Sequence, residues 1–536
     1  MIGYLRYELV PEIREIVNDS SYTQNALSER LANAGLLPMF GFPTRERSLY
    51  TRWPSSGYPW PPKQGVIGRN LDLALSQFAP GSQTVKDKAV HTACGVVDLY
   101  PQGNYVKTES GFVPALPQAN SQSLGLCSHC QAVVYPHTPL EQTLSYEQEL
   151  PVVQCPVCNQ KALRCLDARE PKGFFTDLQP QDFDGQFEWQ PYSTRPSLSI
   201  PTLDAEYPTY ETIGNAEIAA WNDQIISVND NGGVGGFDFG EARIYGKSKP
   251  GAYAVGQHEW VTTFNRTHRI ALLSKRKTDI LLVKVKKWPQ GVFADPTTIE
   301  GRAAWYSYAF WLRIAAGALL DIDPLELQAS FRSLSEQSQP VGETFLCDQL
   351  ENGAGYCQFL AQPEEFEKLM AHAKPTHSNN IAWKWMAEQG HANDCDTSCN
   401  LCLRDYQSLA YHGLLDWRLA LDMARLLMSD SAVIDLLSPW NQSANPWQNL
   451  VQGKNARISA TLQRLGYKPP TPFGTLTGYV HKRPMRQLIQ IVRHPLWQDN
   501  QPQWLAAKMV AEAQYPDYEI QAANPFIILR RPGDYV

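Results

Sequence analysis

The stretch HANDCDTSCNLCLRDYQSLAYHGLLDWRLALDM, residues 391–423, decides how this part of the chain folds. It places Cys395, Cys399 and Cys402 within eight positions, directly before a helical pattern. A structural zinc ion needs four ligands, so this set is one ligand short. His391, four residues before Cys395, is the nearest side chain that completes a His/Cys3 set. We therefore predict a zinc site here, with His391 as its fourth ligand.

Two alternatives to this site remain open on the sequence alone. The fourth ligand could arrive through space from one of three other residues, namely Cys347, Cys357 and His412. The three cysteines could also be buried core residues without a metal, because free cysteine is often buried.

The helix after the cysteines has a clear apolar stripe. Leu414, Trp417, Leu421, Ala424 and Met428 are spaced by three and four residues, as on one face of a helix. This spacing predicts that the helix packs into a core.

A second cysteine set is more specific. Cys127 and Cys130 form one Cys-x2-Cys pair, and Cys155 and Cys158 form another after 24 intervening residues. Two such pairs bring four thiolates onto one zinc ion, as in zinc ribbons. All four positions are then filled by protein, so the ion is structural and no position is left for substrate. The alternatives are unliganded cysteines or a redox CPVC motif.

Length and charge limit the function classes. At roughly 150 residues per domain, 536 residues predict three or four domains. A net charge of -7 means that nucleic-acid binding would need a local basic patch or a partner. The start lacks the apolar core of a signal peptide, and we find no apolar run of membrane-spanning length. We expect a cytoplasmic protein without membrane contact.

The chain offers no recognisable catalytic motif. GEARIYGKS, residues 240–248, resembles a phosphate-binding loop, but five residues separate Gly240 from Gly246 where that motif has four. The GGVGG stretch, residues 232–236, is expected to be a turn. We therefore expect no ATPase and no other enzyme activity.

One basic patch is present. It contains His268, Arg269, Lys275, Arg276, Lys277, Lys284, Lys286 and Lys287, next to Trp288. Such side chains on alternating strands can offer cations to phosphates. Lys275, Arg276 and Lys277 are the predicted DNA contacts, and a solvated surface is the alternative.

Local patterns predict several elements. Helices are expected at residues 21–34, 71–79 and 303–320, the last buried all round. Residues 345–360 are expected to form a strand, a glycine-rich turn and the start of a helix. LIQIVRH and PFIILRR, residues 488–494 and 525–531, are strand candidates.

The segment CDTSCNLCLRDYQSLAYHGLLDWRLALDM resembles the helicase-associated zinc-binding (MZB) domain of Mrf-type and Hrq-type superfamily 2 DNA helicases and of the DISARM phage-defence protein DrmB. KRKTDILLV, LLDIDPLELQ and FLCDQLENGAGYCQFL are similar to earlier blocks of that domain, with Gly353, Gly355 and Tyr356 in its glycine-rich turn. Many members bind the metal with four cysteines. Here Asn393 stands where one of them would be, and His391 is the expected replacement.

The resemblance extends over most of the chain. LSERLANAGLLPMFGFPTRERSLY, RNLDLALSQFAPGSQTVKDK, REPKGFFTD, RHPLW and ILRRPGDY resemble segments that follow the motor domains of long phage-defence helicases. It implies an α+β, multidomain protein with a zinc ribbon and a mixed α/β MZB domain. The expected divisions are 1–115 (N-terminal helicase-associated region), 116–185 (zinc ribbon), 186–300 (β-rich region), 301–430 (MZB domain) and 431–536 (C-terminal α/β region).

The implied function is that of a non-catalytic accessory subunit or C-terminal module of a superfamily 2 helicase, assisting DNA binding in antiviral defence. Its expected cofactors are two zinc ions, and its expected partners are a helicase motor subunit and DNA. Two alternatives come from other classes. One is a nuclease or other DNA-processing enzyme with an unrecognised site, which metal-dependent DNA cleavage would reveal. The other is a protein-interaction scaffold that never touches DNA, which a gel shift would reveal.

Overall fold

A computed structural model describes residues 5–19, 27–34, 36, 45–120, 122–137, 150–183, 195–201, 207–374, 380–386, 391–440, 445–452, 456–482 and 487–536. The chain divides into two compact units. Unit 1 comprises Met1–Cys155, Asn159–Ile200 and Gln224–Thr278. Unit 2 comprises Pro156–Cys158, Pro201–Asp223 and Asp279–Val536.

The described residues form both helices and sheets. The helices are Leu5–Leu9 (π), Val10–Asn18, Leu27–Asn33, Leu71–Gln77, Ile299–Leu320, Pro324–Glu326 (3-10), Tyr356–Leu360, Pro363–Ala371, Ile381–Met386, His391–Asp394, Leu409–Tyr411 (3-10), Trp417–Met428, Gln448–Val451, Arg457–Arg464, Pro502–Gln514, Pro525–Ile528 and Pro532–Tyr535 (3-10). The strands are Glu46–Tyr50, Val66–Asn70, Gln83–Lys86, Ala89–Val96, Asp98–Gln102, Tyr105–Glu109, Phe112–Val113, Ser123–Cys127, Val133–His137, Val152–Gln154, Lys161–Leu166, Ala168–Pro171, Phe174–Thr176, Gln181–Asp182, Arg195–Leu198, Glu211–Ile213, Ala216–Asn229, Phe237–Ile244, Lys247–Val255, Val261–Val285, Leu327–Glu336, Gln339–Asp348, Thr471–Phe473, Leu476–Lys482, Gln487–Val492 and Glu519–Ala523.

Unit 1 is built mainly of antiparallel strands. Ala89–Val96 pairs with both Phe174–Thr176 and Lys247–Val255. Lys247–Val255 forms a hairpin with Phe237–Ile244, which in turn pairs with the first part of Val261–Val285. Apolar side chains at alternate positions of these strands pack against the short helix Leu71–Gln77 and form a core. Its buried side chains include Leu49, Leu71, Leu75, Val96, Phe174, Phe239, Ile270 and Leu272.

A small four-stranded sheet lies within the predicted zinc-ribbon region. Its order is Val152–Gln154, Lys161–Leu166, Ser123–Cys127 and Val133–His137, and all its pairs are antiparallel. One face buries side chains against other strands of unit 1, and these are Leu124, Tyr135, Leu166, Ile226, Ala271 and Leu273. A sheet this small has little core of its own, so a bound metal would contribute much of its stability.

A buried ion pair fixes a loop of unit 1. Arg169 donates from Nε and Nη2 to the two carboxylate oxygens of Asp167, at 2.8 and 2.9 Å. Its remaining hydrogens reach the main-chain carbonyls of Pro114, Ala115 and Gln118 at 2.9–3.1 Å. Arg169 is fully buried, and each of its nitrogens has a partner. The guanidinium therefore holds the loop against the strand Ala168–Pro171.

Removing this guanidinium should destabilise unit 1. We expect Arg169→Met to lower the free energy of unfolding by about 3–5 kcal/mol, because Asp167 would remain as a buried unpaired charge. Urea unfolding measures the change. The double variant Arg169→Met/Asp167→Leu should recover part of the loss, and an unchanged unfolding midpoint for the single variant would contradict this role.

Unit 2 is organised around the helix Ile299–Leu320, called the core helix below. It is buried almost all round, as predicted for residues 303–320, with Thr298 accepting a hydrogen bond from Gly301 at its start. Its one interior cation, Arg313, donates to Gln407 at 2.8 Å and forms an ion pair with Asp405. A charged side chain can therefore lie inside this core because it is paired.

Three further elements are prominent in unit 2. The hairpin of Leu327–Glu336 and Gln339–Asp348 packs on the core helix, where Phe331 meets Tyr306 at a ring distance of 4.7 Å. The helix Trp417–Met428, called the cluster helix below, buries Trp417, Leu421 and Ala424 of the predicted stripe in the same core. Leu414, the first residue of that stripe, lies in the turn before the helix, and Leu414 and Met428 are partly buried. A four-stranded sheet follows, in the order Thr471–Phe473, Leu476–Lys482, Gln487–Val492 and Glu519–Ala523, with the last pair parallel.

The predicted fold class is confirmed: the protein is mixed α/β and multidomain. The strand predicted at residues 525–531 is wrong. Pro525–Ile528 is helical because Asn524 caps it by accepting from the Phe526 amide, and Pro525 starts it. The predicted helix at residues 21–34 lies partly outside the described residues, which show Leu27–Asn33 as helical. The five-part domain division stays a prediction.

None of the described helices has both the length and the apolar character that crossing a membrane requires.

Candidate metal centres

The first group of ligands lies where two turns of the small sheet meet. Cys127, Cys130, Cys155 and Cys158 place their sulfurs within 4.8 Å of one another. The Cys130 and Cys155 sulfurs are 3.7 Å apart. A tetrahedral zinc ion with bonds of about 2.3 Å separates its sulfur ligands by roughly 3.8 Å. The spacing fits one zinc ion.

The two turns have the same backbone design. In the first, the Cys127 amide donates to the Ala132 carbonyl at 2.9 Å, and in the second the Cys155 amide donates to the Gln160 carbonyl at 2.8 Å. The residue after each second cysteine, Gln131 or Asn159, has a positive φ of 64° or 57°. The tight reversal aims both sulfurs of a turn to the same side. The sequence spacing predicted this arrangement.

The electrostatics of the first group favour a cation. Cys130 lowers the pKa of Cys127, but Cys155 and burial outweigh it and raise that pKa to about 11. Hydrogen bonding to Cys127 and Cys155, together with burial, also raises the pKa of Cys130. Thiolates packed this closely need a positive charge between them, and Zn²⁺ would supply it.

The second group unites the four residues predicted from the opening stretch. His391, Cys395, Cys399 and Cys402 place one ligand atom each within 4.8 Å of the others. The Cys402 sulfur lies 3.9 Å from that of Cys395 and 3.8 Å from that of Cys399. The Cys399 amide also donates to the Cys402 sulfur at 3.1 Å, a bond that stabilises a thiolate.

His391 is oriented as a metal ligand. Its Nδ1 lies 3.0 Å from the Trp385 carbonyl, so the proton sits on Nδ1 and the lone pair on Nε2. Nε2 is buried and has no hydrogen-bond partner among the described residues. Trp385 stacks against the ring at a centroid distance of 6.0 Å, and Trp417 meets it edge-on at 5.4 Å. A zinc ion at the three sulfurs would satisfy this orphaned nitrogen.

The alternative ligands serve other purposes. The Cys357 thiol donates to the Leu346 carbonyl at 3.3 Å, and His412 Nε2 lies 3.1 Å from the Asp405 carbonyl. Among the described residues, neither these two nor Cys347 belongs to the group around Cys402. The geometry therefore favours His391, and its role as ligand stays a prediction.

The cluster helix attaches the second group to the core. The Trp417 indole donates to the Cys395 carbonyl at 3.2 Å, and the Trp417 amide donates to Thr397 at 3.0 Å. Arg418 donates to the Asp396 carbonyl at 2.7 Å and is 1% exposed. The Cys402 sulfur and burial raise the pKa of Cys395, whereas His391 lowers it. Two cations, the buried Arg418 and a bound Zn²⁺, would thus offset the thiolate charge.

Asp416 connects this helix to more distant parts of unit 2. Its carboxylate accepts from the Arg418 amide at 3.1 Å and so caps the helix. Its own amide donates to Ser307 of the core helix at 2.9 Å. Arg530 lies 3.5 Å from the carboxylate and donates to the Gly413 and Leu415 carbonyls at 2.7 and 2.8 Å. These roles of Arg418 and Arg530 were not predicted from the sequence. The two arginines occur there only within the LDWR and ILRR blocks of the family resemblance.

The three predicted DNA contacts differ in exposure. Lys277 is exposed. Lys275 is half-buried, with its ammonium 3.2 Å from the Tyr135 hydroxyl. The Arg276 side chain is 3% exposed and pairs with the buried Asp72 at 3.2 Å, which leaves it poorly placed to meet phosphate, and its role as a DNA contact stays a prediction. Burial would raise the pKa of Asp72, but Arg45 and Arg276 together hold it below its usual value.

The rest of the basic patch is also partly engaged. Arg269 pairs with Asp238 at 3.1 Å, and Lys284 pairs with Glu217 and Glu336 at 3.2 and 3.0 Å. These cations are therefore less available to phosphate than the sequence suggested.

Fold and ligand groups together define the class: a multidomain α/β protein with two closed groups, each of which could hold one zinc ion. No protein-family model matches the chain. The chain is 24% identical over 461 residues to the Druantia protein DruE of Escherichia coli (strain UMEA 4076-1), a match that covers 78% of this chain. The chain spans only 23% of the length of that protein.

A solved structure, that of the DUF1998 helicase MrfA bound to DNA, shares 10% sequence identity with the chain and has a TM-score of 0.27. The match covers 61% of this chain and 37% of that chain. At that score the likeness carries no inference about this protein.

Replacing His391 should remove one metal ion. We expect about two zinc ions per chain in the unaltered protein and about one in His391→Ala, because Nε2 would complete the second tetrahedron. Elemental analysis after dialysis measures the content. His412→Ala is the matched control and should retain two. Equal content in His391→Ala and the unaltered protein would exclude His391 as a ligand.

Proposed function

We propose that this chain is a non-catalytic zinc-binding accessory subunit, or the C-terminal module, of a superfamily 2 DNA helicase in antiviral defence. It acts as a scaffold that helps a motor subunit to hold DNA. The two zinc ions stabilise its surfaces and take no part in a reaction.

The closed geometry of both ligand groups carries this proposal. Each group offers four protein ligands with atoms within 4.8 Å of one another, so a tetrahedral ion would have no open position. Catalytic zinc needs a free position for water or substrate, whereas structural zinc does not. A structural role is therefore the one that these residues support.

The similarity to DruE supports the defence context. The match extends over 461 residues and therefore includes most of the chain, not one short motif. Because the chain spans 23% of that protein's length, a separate motor subunit or a larger polypeptide would supply the ATP-driven activity. The DISARM-like, MZB-type assignment rests on the resemblance of residues 395–423. We place the proposed function in the cytoplasm, where DNA and reduced cysteines occur together.

The proposed DNA contact is electrostatic and local. Lys277 is the exposed cation of the predicted trio, and Lys275 lies two residues away on the same strand, where side chains of alternate residues point to one face. With a net charge of -7, the chain would bind DNA through such a surface and not through its overall charge.

Charge reversal at Lys277 tests the contact. We expect Lys277→Glu to weaken binding to a labelled duplex and to lower the slope of log affinity against log salt by about 0.9, the value for one lost phosphate contact. Fluorescence anisotropy at several salt concentrations measures both. Lys508→Glu, at a side chain 44% exposed, is the control and should change neither. Equal slopes for Lys277→Glu and the unaltered protein would remove Lys277 from the interface.

The absence of catalysis is tested on the purified chain. With DNA and Mg²⁺ or Mn²⁺, we expect neither ATP hydrolysis nor DNA cleavage above background. Cleavage abolished by one acidic substitution would replace the proposal with the nuclease alternative, and failure to bind any DNA would favour the protein-interaction scaffold.

A further inference from the structure

The stretch that resembles a phosphate-binding loop forms the tip of a β-hairpin. Phe237–Ile244 and Lys247–Val255 are antiparallel, and Ile244 pairs with Lys247 across the two-residue turn Tyr245–Gly246. Both turn residues have positive φ, 51° and 74°, as the tightest hairpin turns require. The hairpin therefore presents the Tyr245 side chain at its tip. It does not form the loop of main-chain amides that binds phosphate in the motif that this stretch resembles.

The hairpin tip is aromatic and exposed. Tyr245 is 54% exposed, and Trp260, the residue just before the strand Val261–Val285, is 38% exposed. Their ring centroids are 5.7 Å apart at an angle of 44°, and the Tyr245 amide donates to the Trp260 carbonyl at 2.9 Å. Two large rings held side by side at the surface add little to a core. They are, however, suited to stacking against flat partners.

Two cations flank Tyr245 along the hairpin. Arg243 is exposed, and its guanidinium lies 4.5 Å from the centroid of the half-buried Phe264 ring. Lys247 is exposed at the start of the second strand. Within the described part of the chain, neither Arg243 nor Lys247 forms an ion pair. We call Arg243, Tyr245, Lys247, Trp260 and Phe264 the hairpin surface.

The charge around the hairpin surface is positive overall. Two more cations are close in sequence, the exposed Arg266 and Lys249, whose ammonium lies 5.5 Å from the Trp53 ring. The acidic side chains are Glu241, which pairs in register with Phe264, and Glu259, which accepts a hydrogen bond from Gln179. This part of the two strands and their turn thus carries four cations and two carboxylates. A polyanion would gain from this imbalance.

We propose that the hairpin surface binds single-stranded DNA, with bases stacking on Tyr245 and Trp260 and phosphates against Arg243 and Lys247. Exposed aromatic rings flanked by cations are the recognised means of holding an unpaired strand, because every base has a flat face. Paired bases are stacked inside a duplex and cannot use these rings. The inference rests on the proposed function and adds a strand-binding site separate from Lys277.

Ring removal provides the sharpest test. The probe is a fluorescein-labelled oligo(dT) of about 15 nucleotides, measured by anisotropy with the full chain. We expect Tyr245→Ala and Trp260→Ala each to weaken binding by roughly tenfold. Tyr245→Phe keeps the ring and should bind like the unaltered protein. Tyr207→Ala removes a ring 63% exposed elsewhere and serves as control. Unchanged zinc content and thermal midpoint establish that each variant is folded.

The cations have a separate readout. We expect Arg243→Gln/Lys247→Gln to lower the salt slope for oligo(dT) by about 1.4, or about 0.7 per lost contact on a single strand. Crosslinking of a halogenated oligonucleotide to Tyr245 or Trp260, located by mass spectrometry, would place the strand directly.

Several outcomes would overturn the proposal. These are an equal loss in Tyr245→Phe and Tyr245→Ala, an equal loss in Tyr207→Ala, tighter binding of duplex DNA, or tighter binding of oligo(rU). If oligo(dT) binding depends on Lys277 and not on the hairpin surface, the inference fails while the proposed function stands. If the chain binds no DNA of any kind, both fail.

Discussion

The buried carboxylate of Asp416 is the interaction on which unit 2 depends. The carboxylate caps the cluster helix and forms ion pairs with Arg418 and Arg530. The main-chain amide of the same residue donates to Ser307 of the core helix. Burial raises the pKa of the carboxylate, and the two guanidiniums oppose that rise. A buried charge is tolerable only with such partners, so the three charged residues require one another. The cysteine loop is fixed through the same network, since Arg418 also holds the Asp396 carbonyl.

The two ligand groups achieve similar geometry in different ways. The first joins two matching turns of a small sheet, so the metal links segments that are distant in sequence. The second takes all its ligands from residues 391–402, and its orientation comes from outside: the Trp385 carbonyl and the edge of Trp417 set the His391 ring. A metal ion in the first group would therefore stabilise the fold of the small sheet. In the second group, the surrounding fold already orients the ligands for a metal ion.

Local sequence predicted what is locally determined. Both cysteine sets, the buried core helix and the glycine-rich turn before Tyr356 follow from spacing and turn chemistry, and His391 was found because it lies four residues from Cys395. The burial of Arg276 was not predicted because its partner, Asp72, lies about 200 residues away, and a basic run looks the same in the sequence whether it is exposed or paired. PFIILRR was misjudged because apolar β-branched residues outweighed the capping Asn524 in the pattern. Long-range pairing is the information that one sequence does not display.

The bonds of Arg530 also bear on how the protein is made. Arg530 holds the Gly413 and Leu415 carbonyls, which belong to residues more than a hundred positions earlier. During synthesis the cysteines of the second group leave the ribosome long before this arginine does. The nascent loop would therefore carry free thiols next to an unfinished helix start. Metal capture at this point would order the loop before Arg530 arrives to fix the start of the cluster helix.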